Sequence, residues 1–127
     1  MDASNWVPQH RERIFIVCFD KSIFANNRKI QFCFPSTPSK RKYNLNYVLE
    51  KNPNKKYMLS DKLWRYLQDY AAKHKAKGNG FGYGLADKNG VTRTMSARYH
   101  KDGAEILIKQ DGWKNPRRLT PNEAEYL

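Results

Sequence analysis

With 127 residues, the chain has room for one domain with a modest core, and its 24 Lys and Arg against 12 Asp and Glu give a net charge of +12. That excess points to a polyanion, nucleic acid first, ahead of a ribosome-like or merely soluble basic surface. The two cysteines, Cys18 and Cys33, lack Cys/His companions at ligand spacing, and the mean hydropathy is −0.90 with no apolar run of membrane-spanning length and no signal-peptide pattern. A zinc site, a secreted disulfide scaffold and a membrane partner are therefore not expected, and the cytoplasm is the default compartment.

In chain order, a polar stretch, Gln9 to Arg13, precedes the apolar run Ile14 to Phe19 (IFIVCF). Such a continuous β-branched and aromatic run suits a strand buried on both faces, and here it looks like the orphan of a larger sheet. Ile30 to Phe34 reads as a short strand ended by Pro35, Ser36 to Arg41 as a loop, and Asn44 to Leu49 as a short helical turn. The clearest helix runs from about Asp61 to His74. Ser60 is its N-cap, Asp61 suits the positive end of the helix dipole, and Gly78 is its natural stop. Leu63, Leu67, Tyr70, Ala71 and His74 share one face with Trp64 beside it, and Lys73, Lys75 and Lys77 make a basic end.

The glycine run Gly78 to Gly84 (GNGFGYG) lets backbone approach another surface closely, or simply forms a flexible hairpin turn; it lacks dinucleotide or Walker spacing. Val91 to Ala97 and Glu105 to Lys109 read as two strands of a β-hairpin across an Asp102-Gly103 turn. Near the end, Thr120, Pro121 and Glu123 stand as N-cap, first helical residue and capping-box glutamate. The fold class is α+β: a small mixed domain with one long helix and a β-hairpin, and an extra strand at its front.

Two further stretches carry a resemblance. Val7-Pro8-Gln9-His10-Arg11-Glu12-Arg13 is similar to the VPQxRxR segment (motif VIII) of cytosine-5 DNA methyltransferases, and Arg117-Arg118-Leu119-Thr120-Pro121-Asn122-Glu123 to their RxLTxxE segment (motif IX). Between these segments the family carries its target-recognition domain. Here the GNGFGYG stretch and Thr92 to Ile108, with SARYHKDG inside it, resemble the Dcm and EcoRII-type branch, which modifies the inner cytosine of CC(A/T)GG. The resemblance implies residues 1–20 as motif VIII and a strand of the catalytic sheet, 21–116 as the recognition domain, and 117–127 as a truncated motif IX. The family's FxGxG and ENV segments are absent, and neither cysteine follows a proline: Val17 precedes Cys18 and Phe32 precedes Cys33. The resemblance thus implies a fragment of a methyltransferase that supplies DNA recognition and is inactive alone. S-adenosylmethionine would serve the full enzyme, with no cofactor expected on this part.

Methylating carbon 5 needs a thiolate attack at C6, stabilised ring charge and a base flipped out of the duplex. By the match to motif VIII, Arg13 would hold the base at O2, Arg11 would lie nearer a phosphate or the partner glutamate, and Gln9 would order the loop and count among the DNA-binding residues. Without the resemblance, both arginines read as solvated charges before a strand. For base edges, where Arg suits guanine and Asn suits adenine, the candidates are Asn79, Arg93, Arg98 and Lys101. For phosphates they are Lys77, Ser96, Tyr99 and His100. Phe81 and Tyr83 read first as packing, His74 and His100 are not expected to be ligands, and Arg117 and Arg118 read as structural. The expected partners are double-stranded DNA and a catalytic domain or subunit. The apolar strand 14–19 is expected either to pair with another copy or to pack back on the domain. A stand-alone nucleic-acid-binding module is the alternative. RNA binding is disfavoured, because neither an RNP-type nor a KH-type motif is evident.

Overall fold

The structure, a computed structural model, describes residues 1–20, 22, 31–38 and 43–127. Its main element is α1 (Asp61–Ala76), which begins where Ser60 Oγ accepts from Leu63 N at 3.3 Å. Gly78, at φ 75°, ends it: Gly78 N donates to Lys75 O and Asn79 N to His74 O, so the last carbonyls are satisfied. Leu63, Trp64, Leu67, Ala71 and His74 turn to the protein side, half-buried, whereas Tyr70 stays exposed. A 3-10 turn, Leu45–Tyr47, occupies the expected helical turn. A short helix α2 (Tyr99–Asp102) and the terminal α3 (Pro121–Glu125) complete the helices described here. α3 starts with the expected capping box, Thr120 and Glu123 bonding each other reciprocally.

The expectation of an α+β fold with a β-hairpin is not met. Among the described residues there is no strand, only isolated bridges. Segments 91–97 and 105–109 do not pair with each other. Instead Leu107 bridges Leu85 in parallel, Ile108 bridges Arg117, Arg117 bridges Met58, and Thr92 bridges Gln9. The physical reason lies in the connection. Asp102-Gly103 closes α2 rather than a two-residue turn, with Gly103 left-handed at φ 50°. α2 turns Tyr99 into the core, where its hydroxyl donates to Ile106 O at 2.7 Å and accepts from Leu119 N at 2.8 Å. The backbone of 104–108 is then taken by Gly84 and Ala86 on one side and Arg117 on the other.

The N-terminal strand is likewise not formed. Ile14 is 91% and Ile16 84% exposed, and no backbone hydrogen bond joins residues 14–18 to another described residue. A strand requires a neighbour for its N–H and C=O groups, and among the described residues none is offered. Part of the expected strand Ile30 to Phe34 and of the loop Ser36 to Arg41 lies outside the described residues; 31–38 take no regular structure.

The core joins Leu45, Tyr99, Ile106, Ile108 and Leu119, flanked by Val48, Leu49, Ala86, Met95 and Leu127. Beneath it Arg117 and Glu123, both at 0% side-chain exposure, form a two-pronged ion pair at 2.7 and 2.8 Å. Glu123 also accepts from Glu50 N and Thr120 N, both at 2.8 Å, so its four hydrogen bonds tie residues 50, 117 and 120 together.

Candidate nucleic-acid interface

The segment Val7 to Arg13 is held from two sides. Asp2 accepts from Ser4 N (3.1 Å), Ser4 Oγ (2.6 Å) and Arg11 N (3.0 Å), and pairs with His10 Nδ1 (2.9 Å). These bonds, that from the Ser4 hydroxyl foremost, hold the Asp2 carboxyl well below the usual carboxylate range. Met1 and Arg13 exchange bonds in both directions, and Ala3 N donates to Arg11 O, so residues 1–3 and 11–13 run against each other. On the other side Thr92 N donates to Pro8 O (2.9 Å), His10 N to Thr92 O (2.8 Å) and Thr94 Oγ1 to His10 O (2.6 Å). These bonds bring the two sequence-predicted groups of residues together: the arginines of 11–13 lie beside the stretch that begins at Thr92.

Arg11 and Arg13 are exposed, and with Trp6, Phe15 and Pro35 they line a cleft of about 330 Å³. Arg13 Nη1 donates to Glu12 O at 2.6 Å, which leaves its other N–H groups facing outward. Gln9 sits elsewhere: it is 1% exposed, with neither amide atom hydrogen-bonded within the protein.

In the stretch that follows Thr92, Arg93, Ser96, Arg98, His100 and Lys101 are all exposed. Arg98 leans on Asp102 through an i,i+4 contact at 3.3 Å, both side chains well in solvent; such a pair adds little stability and aims the guanidinium. Ser96 is bound to Glu105, its hydroxyl donating at 2.6 Å. Tyr99, by contrast, is a core residue whose hydroxyl is spent on Ile106 and Leu119, which removes it from the surface where a phosphate would lie. Arg93 packs beside Gly84, where any larger residue would collide with the Glu105 carbonyl. The glycine run therefore approaches its own protein: Gly82 lies on Ala71 of α1 and Gly84 on Glu105. Asn79 Oδ1 lies 2.7 Å from His74 Nδ1, which must carry the proton, so Asn79 and Lys77 are tethered at the end of α1.

Sequence reasoning missed the outer face of α1. Tyr66 is 59% and Phe81 65% exposed, and Tyr66 falls outside the apolar stripe, so only its neighbours in space single it out.

The profile of the C-5 cytosine-specific DNA methylase family matches residues 2–127, and the chain belongs to that family. It is 51% identical over 122 residues to the type II methyltransferase M.SsoII of Shigella sonnei, covering 95% of this chain and 31% of that protein. It is 42% identical over 150 aligned positions to the DNA-cytosine methyltransferase of Escherichia coli K12, covering all of this chain and 31% of the relative. With the type II methyltransferase M.HpaII of Haemophilus parainfluenzae it shares 35% over 96 residues, 75% of this chain and 26% of that protein. The chain thus spans about a third of the length of the curated relatives it matches.

Proposed function

We propose that this chain is the DNA-recognising part of a DNA (cytosine-5) methyltransferase of the Dcm and EcoRII-type branch, with CC(A/T)GG as its site. Arg93, Arg98, Asn79 and Lys101 read base edges, Lys77, Ser96 and His100 meet phosphates, and Arg13 holds the flipped cytosine, with Arg11 supporting. The observation that carries this reading is the pairing of residues 8–10 with 92–94. It couples the arginines that would meet the extruded base to the exposed basic stretch that would meet the groove. One rigid unit then sets where the base emerges relative to the sequence being read.

In the same reading residues 1–20 stand on the catalytic side of the boundary and residues 21–116 in the recognition part. Motif IX, from residue 117, braces the recognition part through the buried Arg117–Glu123 pair.

The methyl donor, S-adenosylmethionine, carries a ribose diol and an ammonium that call for free carboxylates. The carboxylate lining the Arg11–Arg13 cleft, Asp2, is already engaged by Ser4, His10 and Arg11. That cleft therefore offers the donor no free carboxylate, and no step is assigned to it here.

The test is binding of the chain to CC(A/T)GG duplex and to a scrambled duplex at several salt concentrations. A preference for the site, with affinity falling steeply as salt rises, is expected. Equal affinity for both duplexes, or tight binding of S-adenosylmethionine by the isolated chain, overturns the reading.

A further inference from the structure

Along one flank of α1 and into the glycine run four rings form a continuous series, three of them exposed and His74 half-buried. Tyr66 and Tyr70 stand 6.1 Å apart between centroids, Tyr70 and His74 4.2 Å, and His74 and Phe81 5.6 Å. Tyr66, Tyr70 and Phe81 are 59, 37 and 65% exposed, a run of aromatic surface left in water along α1 and the glycine run beside it. The surrounding charge is positive: residues 61–77 carry Lys62, Arg65, Lys73, Lys75 and Lys77, none ion-paired among the described residues. Of the two carboxylates there, Asp61 is already bound by Lys114 and Asn115, which leaves Asp69 alone against five cations.

We infer that this ladder is a second DNA-contacting surface, one that tracks the sugar-phosphate backbone of the duplex beyond the recognition site. The inference rests on the proposed DNA-recognition role and extends its footprint. The stacking decides between backbone and bases. Within the series the rings of Tyr70, His74 and Phe81 are engaged with one another, and the hydroxyls of the exposed Tyr66 and Tyr70 take no hydrogen bond among the described residues. Hydroxyl donors interleaved with lysines suit phosphate oxygens and deoxyribose, whereas open ring faces would be needed to stack unpaired bases.

The position fits as well. α1 has 16 residues, about 24 Å at 1.5 Å per residue, the length of roughly seven base steps. Its C-terminal end is fastened to the recognition stretch through His74–Asn79 and through Gly84 N donating to Ala104 O. Lys77 and Asn79 are therefore where the two surfaces meet.

The experiment uses the full chain and two duplexes centred on CC(A/T)GG, one of about 12 base pairs and one of about 30, compared by fluorescence anisotropy at several salt concentrations. The longer duplex is expected to bind wild type more tightly. Y66F/Y70F keeps the rings and the fold but removes the outward donors; it should weaken binding to the long duplex roughly five- to tenfold and leave the short one unchanged. Lys73→Gln should lower the salt slope by about one on the long duplex only. Losses that are equal on both duplexes, or absent from the long one, overturn the ladder while leaving the recognition role standing. Wild type that binds these duplexes no better than scrambled duplexes of the same two lengths overturns the recognition role, and the ladder with it.

Discussion

Glu123→Ala removes the acceptor from a fully buried cation. In the folded chain each Glu123 oxygen takes one Arg117 N–H and one backbone N–H, Oε1 from Glu50 and Oε2 from Thr120. Alanine leaves those backbone donors unpaired and strips Arg117 of two of its partners, with only Gln110 Oε1 and Arg118 O remaining. Breaking a buried pair by removing one partner costs about 3–5 kcal/mol, a large part of the ~5–15 kcal/mol that holds a domain together. With a urea m-value of roughly 1–3 kcal/mol/M, the unfolding midpoint should drop by about 2 M, and Tm by on the order of 10–20 °C. Removing both charges in Arg117→Met/Glu123→Leu leaves the two backbone donors but no stranded charge, so it should cost less than Glu123→Ala alone. Urea titrations followed by far-UV circular dichroism measure both. A loss below about 1 kcal/mol for Glu123→Ala, or a double variant worse than the single, would refute the argument that this pair holds residues 117–123 against the core.

Three other perturbations test different parts of the chain. Burial, foremost, pushes the Tyr99 phenol up to about 12, so the folded state keeps a proton that the unfolded chain releases near 10. That contribution is complete below pH 10 and is lost as pH rises toward 12; Tyr99→Phe should flatten the decline, seen in urea midpoints from pH 9 to 12, and cost about 1–3 kcal/mol at neutral pH as Leu119 N–H and Ile106 C=O lose their partner. Gly84→Ala drives a methyl into the Glu105 carbonyl and should lower stability by about 1–3 kcal/mol, whereas Gly80→Ala, with open space around it, should be close to neutral in the same thermal melts. Ile16→Lys places a charge in the exposed run 14–19 and should reduce self-association of the chain in sedimentation velocity; an unchanged distribution would mean that this run does not drive association.

Much of the local structure was legible because its signals act over a few residues. Ser60 and Gly78 bound α1, and Thr120, Pro121 and Glu123 announce α3, since caps satisfy backbone groups within one turn of where they stand. The basic excess and the candidate side chains Arg93, Arg98 and Lys101 were also readable, because charged groups without a buried partner stay in water. Arg13 is of a different kind: as a sequence of charges before a strand it is mute, and motif resemblance alone singled it out.

What the tertiary structure decided is which segments meet. Asp102-Gly103 is equally good chemistry for a hairpin turn and for the end of a short helix. The choice falls to the helix because Tyr99 finds a buried seat between Ile106 and Leu119, and because residues 104–108 have Gly84, Ala86 and Arg117 to pair with. The same holds for Gln9, taken inward, and for the tyrosines of α1, left outward. Sequence by itself determined α1, α3, their caps and the sign of the charge, all short-range properties. Burial, and with it the bridge partners and the bond from Glu50 N to Glu123, depends on residues tens of positions apart, and no local pattern encodes that separation.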